Sequence, residues 1–171
     1  MERNLFGKTG LLLSKVVYGG IISMNESRTD SDAYVSYAID AGVNYFDVAP
    51  SYGDAQEKLG ISLKPYRNNV YLACKTAQRT AFEERKELEN SLATLFTDHF
   101  DIYQLHALST PEDLDTVFGK DGAMETLIKA KSDGLIRNIG FSAHNEDVAI
   151  KALLTYDFDS VLFPVNFAQS L

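Results

Sequence analysis

The fold of this chain is limited above all by a recurrence. Six short apolar runs, "SKVVYGG", "GVNYFDV", "NVYLACK", "DHFDIYQLH", "LIRNIGFS" and "DSVLFPVNF", alternate with segments of helical periodicity. They recur every ~25 to 35 residues, the size of one βα unit. Parallel strands need a crossover between them, usually a helix, so the alternation predicts an α/β protein with a parallel sheet.

The segments between the runs read as helices. "DSDAYVSYAIDAG" puts Tyr34, Tyr37, Ala38 and Ala41 on one face, with Asp30 or Ser31 as N-cap and Gly42 past the end. "DAQEKLGISLKP" is a second helix, ended by Pro65. "FEERKELENSLATLF" presents Leu88, Leu92, Leu95 and Phe96 to the core, and its charge run Glu83 to Glu87 reads as a solvated face. "GAMETLIKAKSDG" turns Met124, Leu127 and Ile128 inward and stops at Gly134, and "NEDVAIKALLTY" is a weaker fifth helix. The opening "NLFGKTGLLLS" suits a short hairpin before the first unit. No linker or low-complexity segment divides the chain, so residues 1–171 read as one domain.

Composition narrows the function classes. At 171 residues, 45% hydrophobic and 23% charged, the chain suffices for one substantial core. A net charge of -8 is poor electrostatics for coating a nucleic-acid backbone, which needs clustered Lys and Arg, while leaving local binding of a small anionic ligand open. No apolar run approaches the ~20 residues of a membrane helix, and no export signal opens the chain, which places it in the cytoplasm. The lone Cys74 can form no internal disulfide and reads as strand packing.

In parallel α/β folds functional groups gather where strands end. The second run ends in Asp47 with Tyr52 in the loop beyond it, the third in Lys75 and the fourth in His106. Each alone has a bland explanation: a helix cap, an interfacial aromatic, a snorkelling lysine. Together they make a site for moving a proton. An ammonium beside a phenol favours phenolate and makes it a better acid, so Lys75 would assist Tyr52, Asp47 would hold Lys75, and His106 would orient a substrate oxygen. No side chain delivers hydride, so a carbonyl reduction run on this site requires a nicotinamide cofactor. A metal shared by the histidines is excluded, because His99 and His106 open and close one strand, roughly 20 Å apart. His99 reads as a strand-start residue and His144 as a loop or helix-cap residue.

"YFDVAPSYGDAQEKLG", "LACKT", "DIYQLHAL" and "GLIRNIGFSAHN" together resemble the signatures of the aldo-keto reductase family, in order along the chain. The resemblance implies a TIM-type (β/α)8 barrel preceded by an N-terminal β-hairpin, reduction of an aldehyde or ketone, and NADP(H) as cofactor, with NAD(H) an open alternative. It implies Asp47, Tyr52, Lys75 and His106 as the catalytic tetrad, Tyr52 being the general acid. It adds Gly20, Ser142 and Asn166 to Asp47 as cofactor contacts. Two positions depart from the family pattern. Ala143 and His144 follow the serine where many members have asparagine, and Pro164 stands where a glutamine is usual, leaving Asn166 as the candidate substitute.

A barrel of this type takes eight strands and ~250 residues, whereas six strands are readable here. The expectation is an incomplete barrel of about six βα units, C-terminally truncated, weakly active or inactive, and prone to self-association through open barrel edges. Two other functions compete: a Schiff-base aldolase through Lys75, disfavoured because Asp47 would keep that amine charged, and a non-catalytic nucleotide-sensing or scaffold relative.

Overall fold

The structure, a computed structural model, describes residues 1–166. A hairpin of β1 (Arg3–Leu5) and β2 (Leu12–Ser14) opens the chain, its turn tightened by a 3-10 segment over Gly7–Thr9 and a left-handed Gly10. Six parallel strands follow: β3 (Tyr18–Gly19), β4 (Tyr45–Asp47), β5 (Tyr71–Thr76), β6 (Ile102–Leu108), β7 (Ile139–Ala143) and β8 (Ser160–Leu162). Each strand pairs with the next in chain order, giving one curled sheet that forms a partial barrel. The last apolar run of the sequence reaches Phe167, which lies outside the described residues.

Helices α1 (Arg28–Asp40), α2 (Ala55–Leu63), α3 (Ala81–Thr94), α4 (Pro111–Phe118), α5 (Ala123–Ser132) and α6 (Glu146–Thr155) link the strands. Leu59, Leu88, Leu127 and Ala152 are fully buried in the core they share with Phe46, Leu72 and Phe141 of the sheet. The hairpin closes one end of the partial barrel. Leu11 and Leu13 pack on Tyr45, Ala73 and Ile102, and the Asn44 side chain accepts from Ser14 N at 2.7 Å and donates to the Leu12 carbonyl at 2.9 Å. The opposite end, where β4 to β7 terminate, is left for a site.

Several local readings change. Helix α1 starts one turn earlier than Asp30, because Ser27 accepts from Asp30 N and caps it. Its buried face is Ser31, Val35 and Ala38, whereas Tyr34 and Tyr37 are exposed, since the hydroxyl-bearing rings reach water while smaller side chains allow close approach to the sheet. Phe96 and Ile128 are likewise exposed, Phe96 because the chain turns left-handed there at φ 52°. The run Glu83 to Glu87 is not uniformly solvated. Glu84 is fully buried, and Glu87 reaches back to the loop after β5, accepting from Thr76 Oγ1 at 2.6 Å and Ala77 N at 3.1 Å. The loop after "DIYQLHAL" holds the unforeseen α4, nucleated by a reciprocal capping box between Thr110 and Asp113 with Pro111 in its first turn.

Candidate active site

The open end of the sheet is built by register. Asp47, the last residue of β4, pairs with Ala73, so Lys75 on β5 lies one inward-facing position further along, opposite Gln104 of β6. His106 follows Gln104 on the same face. Tyr52 comes back over these strand ends through a tight turn. Tyr52 N donates to the Ala49 carbonyl at 3.1 Å, and Gly53 takes the left-handed φ of 54° that lets α2 begin immediately.

The four side chains meet. Lys75 Nζ is ion-paired with Asp47 Oδ2 and lies 3.3 Å from the Tyr52 hydroxyl and 5.2 Å from the centre of its ring. The Tyr52 and His106 rings meet edge to face with centroids 6.0 Å apart. Lys75 is 1% exposed, so its ammonium is screened mainly by Asp47. Burial pushes the Asp47 carboxyl up from its usual range while Lys75 pulls it back, and the second oxygen, Oδ1, has no hydrogen-bond partner among the described residues. The His106 imidazole is held below its ordinary value, first by burial and then by the positive charges of Lys75 and Arg79. It is therefore neutral near pH 7, one nitrogen donating and the other accepting. Ser51 Oγ lies 3.5 Å from Nδ1.

Behind His106 the strand breaks its own pattern. Ala107 takes a left-handed φ of 52°, and the pairing of β6 with β7 shifts between Leu105 and Leu108, the mark of a bulge. Three side chains hold it. Arg79 donates to the His106 carbonyl at 2.8 Å and the Ala107 carbonyl at 3.2 Å, Ser109 Oγ donates to the Ala107 carbonyl at 2.8 Å, and Ala107 N donates to Ser142 Oγ at 2.8 Å. Arg79 is itself fixed by Asp113, at 3.0 Å. The sequence reading had no signal for this role of Arg79, because the contact runs to backbone carbonyls, which carry no residue identity.

Tyr52, Lys75, His106 and Ser142 line one cavity of ≈ 310 Å³, whose remaining walls are His144, Leu162, Phe163 and Pro164. The other two sequence candidates do not line this cavity. Gly20 is buried against β4, where an added Cβ would lie 2.8 Å from the Asp47 carbonyl oxygen, so close packing requires glycine there. Asn166 borders a separate apolar groove with Ile150, Leu153 and Val161. His99 lies at the hairpin end, bonded through Nδ1 to Asp98 at 2.6 Å. Among the described residues no cluster of His, Cys, Asp and Glu could hold a metal. Cys74 is fully buried, its thiol pushed up to about 12 by burial, as suits packing rather than reactivity.

A cavity of this size admits a nicotinamide-sized ring. Ser142 Oγ accepts from Ala107 N, which leaves the hydroxyl able to donate, and Phe163 and Pro164 supply an apolar wall, so the residues present fit such a group.

Comparison with known proteins agrees with this architecture. The chain is 33% identical over 161 residues to the aldo-keto reductase YhdN of Bacillus subtilis, covering 83% of this chain and 47% of that protein. In fold it is similar to the holo form of aldo-keto reductase AKR11C1 from Bacillus halodurans, with a TM-score of 0.83, 24% identity, and coverage of 96% of this chain and 58% of that one. It is also similar to an aldo-keto reductase from Klebsiella pneumoniae in complex with NADPH, with a TM-score of 0.77, 23% identity, and coverage of 92% and 55%. The chain spans about half the length of the curated relatives it matches. No helix among the described residues is long and apolar enough to cross a membrane. The profile of the Aldo/keto reductase family matches residues 15–168, and with the partial barrel and its strand-end cluster this establishes that the chain belongs to that family.

Proposed function

We propose that this chain carries the proton-delivery site of an NAD(P)H-dependent carbonyl reductase acting on a small aldehyde or ketone. The observation that carries the reading is the Lys75 ammonium, paired with Asp47 and 3.3 Å from the Tyr52 hydroxyl, in a cavity shared with His106. A bound nicotinamide would supply hydride to the carbonyl carbon. The residues of the chain handle the oxygen. Tyr52 donates its proton as negative charge develops there, Lys75 stabilises the phenolate left behind, and Asp47 holds Lys75 charged. Neutral His106, with Nδ1 turned to Ser51, would donate from Nε2 to the same carbonyl oxygen and orient it.

Ser142 is the proposed partner of the nicotinamide carboxamide, and Asp47, Gly20 and Asn166 stay proposed as the further cofactor contacts. The cofactor of this reading is NADP(H), with NAD(H) as the alternative. A Schiff-base aldolase fits less well, since its nucleophilic lysine must be neutral and Lys75 is paired with a carboxylate. The proposed setting is the cytoplasm. The exposed apolar side chains beside β3 and β8 support self-association of the chain through those edges.

Fluorescence titration of NADPH and NADH against the purified chain, followed by deuteride transfer from labelled cofactor to a ketone panel, tests the reading. Tyr52→Phe should leave cofactor affinity within about twofold and lower turnover on the order of 10²–10⁴-fold. Turnover that survives in Tyr52→Phe would overturn it.

A further inference from the structure

The end of the partial barrel that the hairpin closes, opposite the tetrad, holds a cavity of its own, of ≈ 300 Å³. Three arginines from three elements border it: Arg3 of β1, Arg67 of the 3-10 segment Lys64–Asn69, and Arg137, two residues before β7. Asp101 is the one acid among its lining residues. That carboxylate is 1% exposed and is shared. Oδ1 accepts from Arg137 Nη1 at 2.8 Å, while Oδ2 accepts from Leu72 N at 2.9 Å and from Arg67 Nη2 at 3.4 Å. Arg67 spends its other donors on neutral acceptors, the Thr97 hydroxyl and the carbonyls of Val70 and His99. Two guanidiniums therefore face one carboxylate, and because Arg67 is only 14% exposed, part of the excess is held where water screens poorly. Burial pushes the Arg67 guanidinium below its ordinary value, Asp101 pulls it back, and the Arg137 charge acts in the same direction as burial.

Arg3 adds a third positive charge that has no ion pair or hydrogen bond among the described residues, and the side-chain amides of Asn68 and Asn69 are likewise unengaged at the cavity wall. Asp98, next to His99, is 94% exposed, so water screens its charge. In a chain of net charge -8 this local positive excess does not follow from composition. We propose that the cavity is a binding site for a phosphate group, free or carried by a small molecule. Guanidinium forks match the oxygens of an oxyanion, and a phosphate group combines nearly two negative charges with three or more acceptor oxygens. It can therefore use donors arriving from β1, from the 3-10 segment and from the approach to β7 together, whereas a carboxylate offers two oxygens. The site shares no residue with the tetrad and stands independently of the carbonyl-reductase reading.

His99 lines this cavity while His106 and His144 line that of the tetrad, so the Cε1–H NMR signals of the three histidines report on the two ends separately. Added to the 171-residue chain at constant pH and ionic strength, inorganic phosphate should shift the His99 signal saturably and leave His106 and His144 in place. Chloride should leave His99 unmoved, and acetate should bind on the order of 5-fold more weakly than phosphate. Glycerol phosphate binding tighter than inorganic phosphate assigns the site to phosphate esters, and the reverse order assigns it to the free ion. Arg3→Met, which removes a charge, and Arg137→Lys, which keeps the charge but loses the fork, should each weaken phosphate binding on the order of 5–10-fold. Unchanged His106 and His144 signals verify that each variant is folded. The proposal is overturned by a His99 signal that phosphate does not move, by a shift that chloride or acetate matches, by phosphate moving His106 in place of His99, or by Arg3→Met binding phosphate as the parent chain does.

Discussion

At the scale of single residues, two buried acids behave differently, and the reason is what faces them. Asp47 has the Lys75 ammonium against it, whereas both Glu84 carboxylate oxygens are buried without a hydrogen-bond partner among the described residues. Burial raises Glu84 to about 8 from an ordinary 4.5. The folded state thus holds a proton that the unfolded chain gives up, and the sign follows. The stability this proton confers is complete below pH 4.5 and is lost as pH rises towards about 8. The loss across that window is of the order of 3–5 kcal/mol. Thermal melts should show stability falling with pH over this range, and Glu84→Gln should flatten the dependence and raise the melting temperature at its alkaline end. Equal slopes in both proteins would refute this. The composition of "FEERKE" could not reveal the buried glutamate, because five charged side chains on one helix look alike until the helix is set down on α5 and the sheet. Asp47, Tyr52, Lys75 and His106 were legible because each interrupts or follows an apolar run at its exit, where a charge has no packing role.

At the scale of elements, the informative piece is the bulge of β6. An apolar run followed by His-Ala-Leu gives no warning of a left-handed alanine, since alanine does not favour that conformation. The conformation persists because Arg79, Ser109 and Ser142 hold the backbone on both sides. After burial and Lys75, the Arg79 charge also helps to hold His106 neutral, against the opposing Glu87. Arg79→Met should therefore do two things. NMR titration should place the His106 pKa higher than in the parent chain, and turnover should drop on the order of 10–100-fold with KM little changed, because the imidazole loses its fixed position. Arg79→Lys restores the charge without the two-carbonyl contact, so it should recover the titration but not the rate. If both variants titrate and turn over like the parent chain, Arg79 does not position His106. Helix α4 shows the same limit from the other side. Its Thr110–Asp113 capping box and Pro111 were present in the residue order, but a segment of eight helical residues between loops carries too little periodicity to stand out.

At the scale of the molecule, the sheet has two margins. β3 and β8 each pair on one side only among the described residues, and apolar side chains lie exposed beside both: Val16, Val17, Ile21 and Ile22 near β3, and Ile150, Leu153, Leu154 and Val161 near β8. An unpaired edge flanked by apolar surface is a template for association. Sedimentation velocity of the 171-residue chain from micromolar to near-millimolar concentration should show a rising mean mass, and Leu154→Glu with Val161→Glu should suppress the rise. A constant monomer mass throughout would remove this proposal. The order of the units was readable in the sequence, since the period of the apolar runs points to strands joined by helical crossovers, and these strands pair in chain order. The four residues at the strand ends followed from that order, because register places strand exits together wherever the sheet is parallel. The bulge that aims His106, the buried Glu84 and the turn of His144 towards the cavity came only with the folded structure. Each depends on contacts between residues about 20 to 40 positions apart, and backbone carbonyls, packing depth and the direction of an exposed side chain leave no mark on local sequence periodicity.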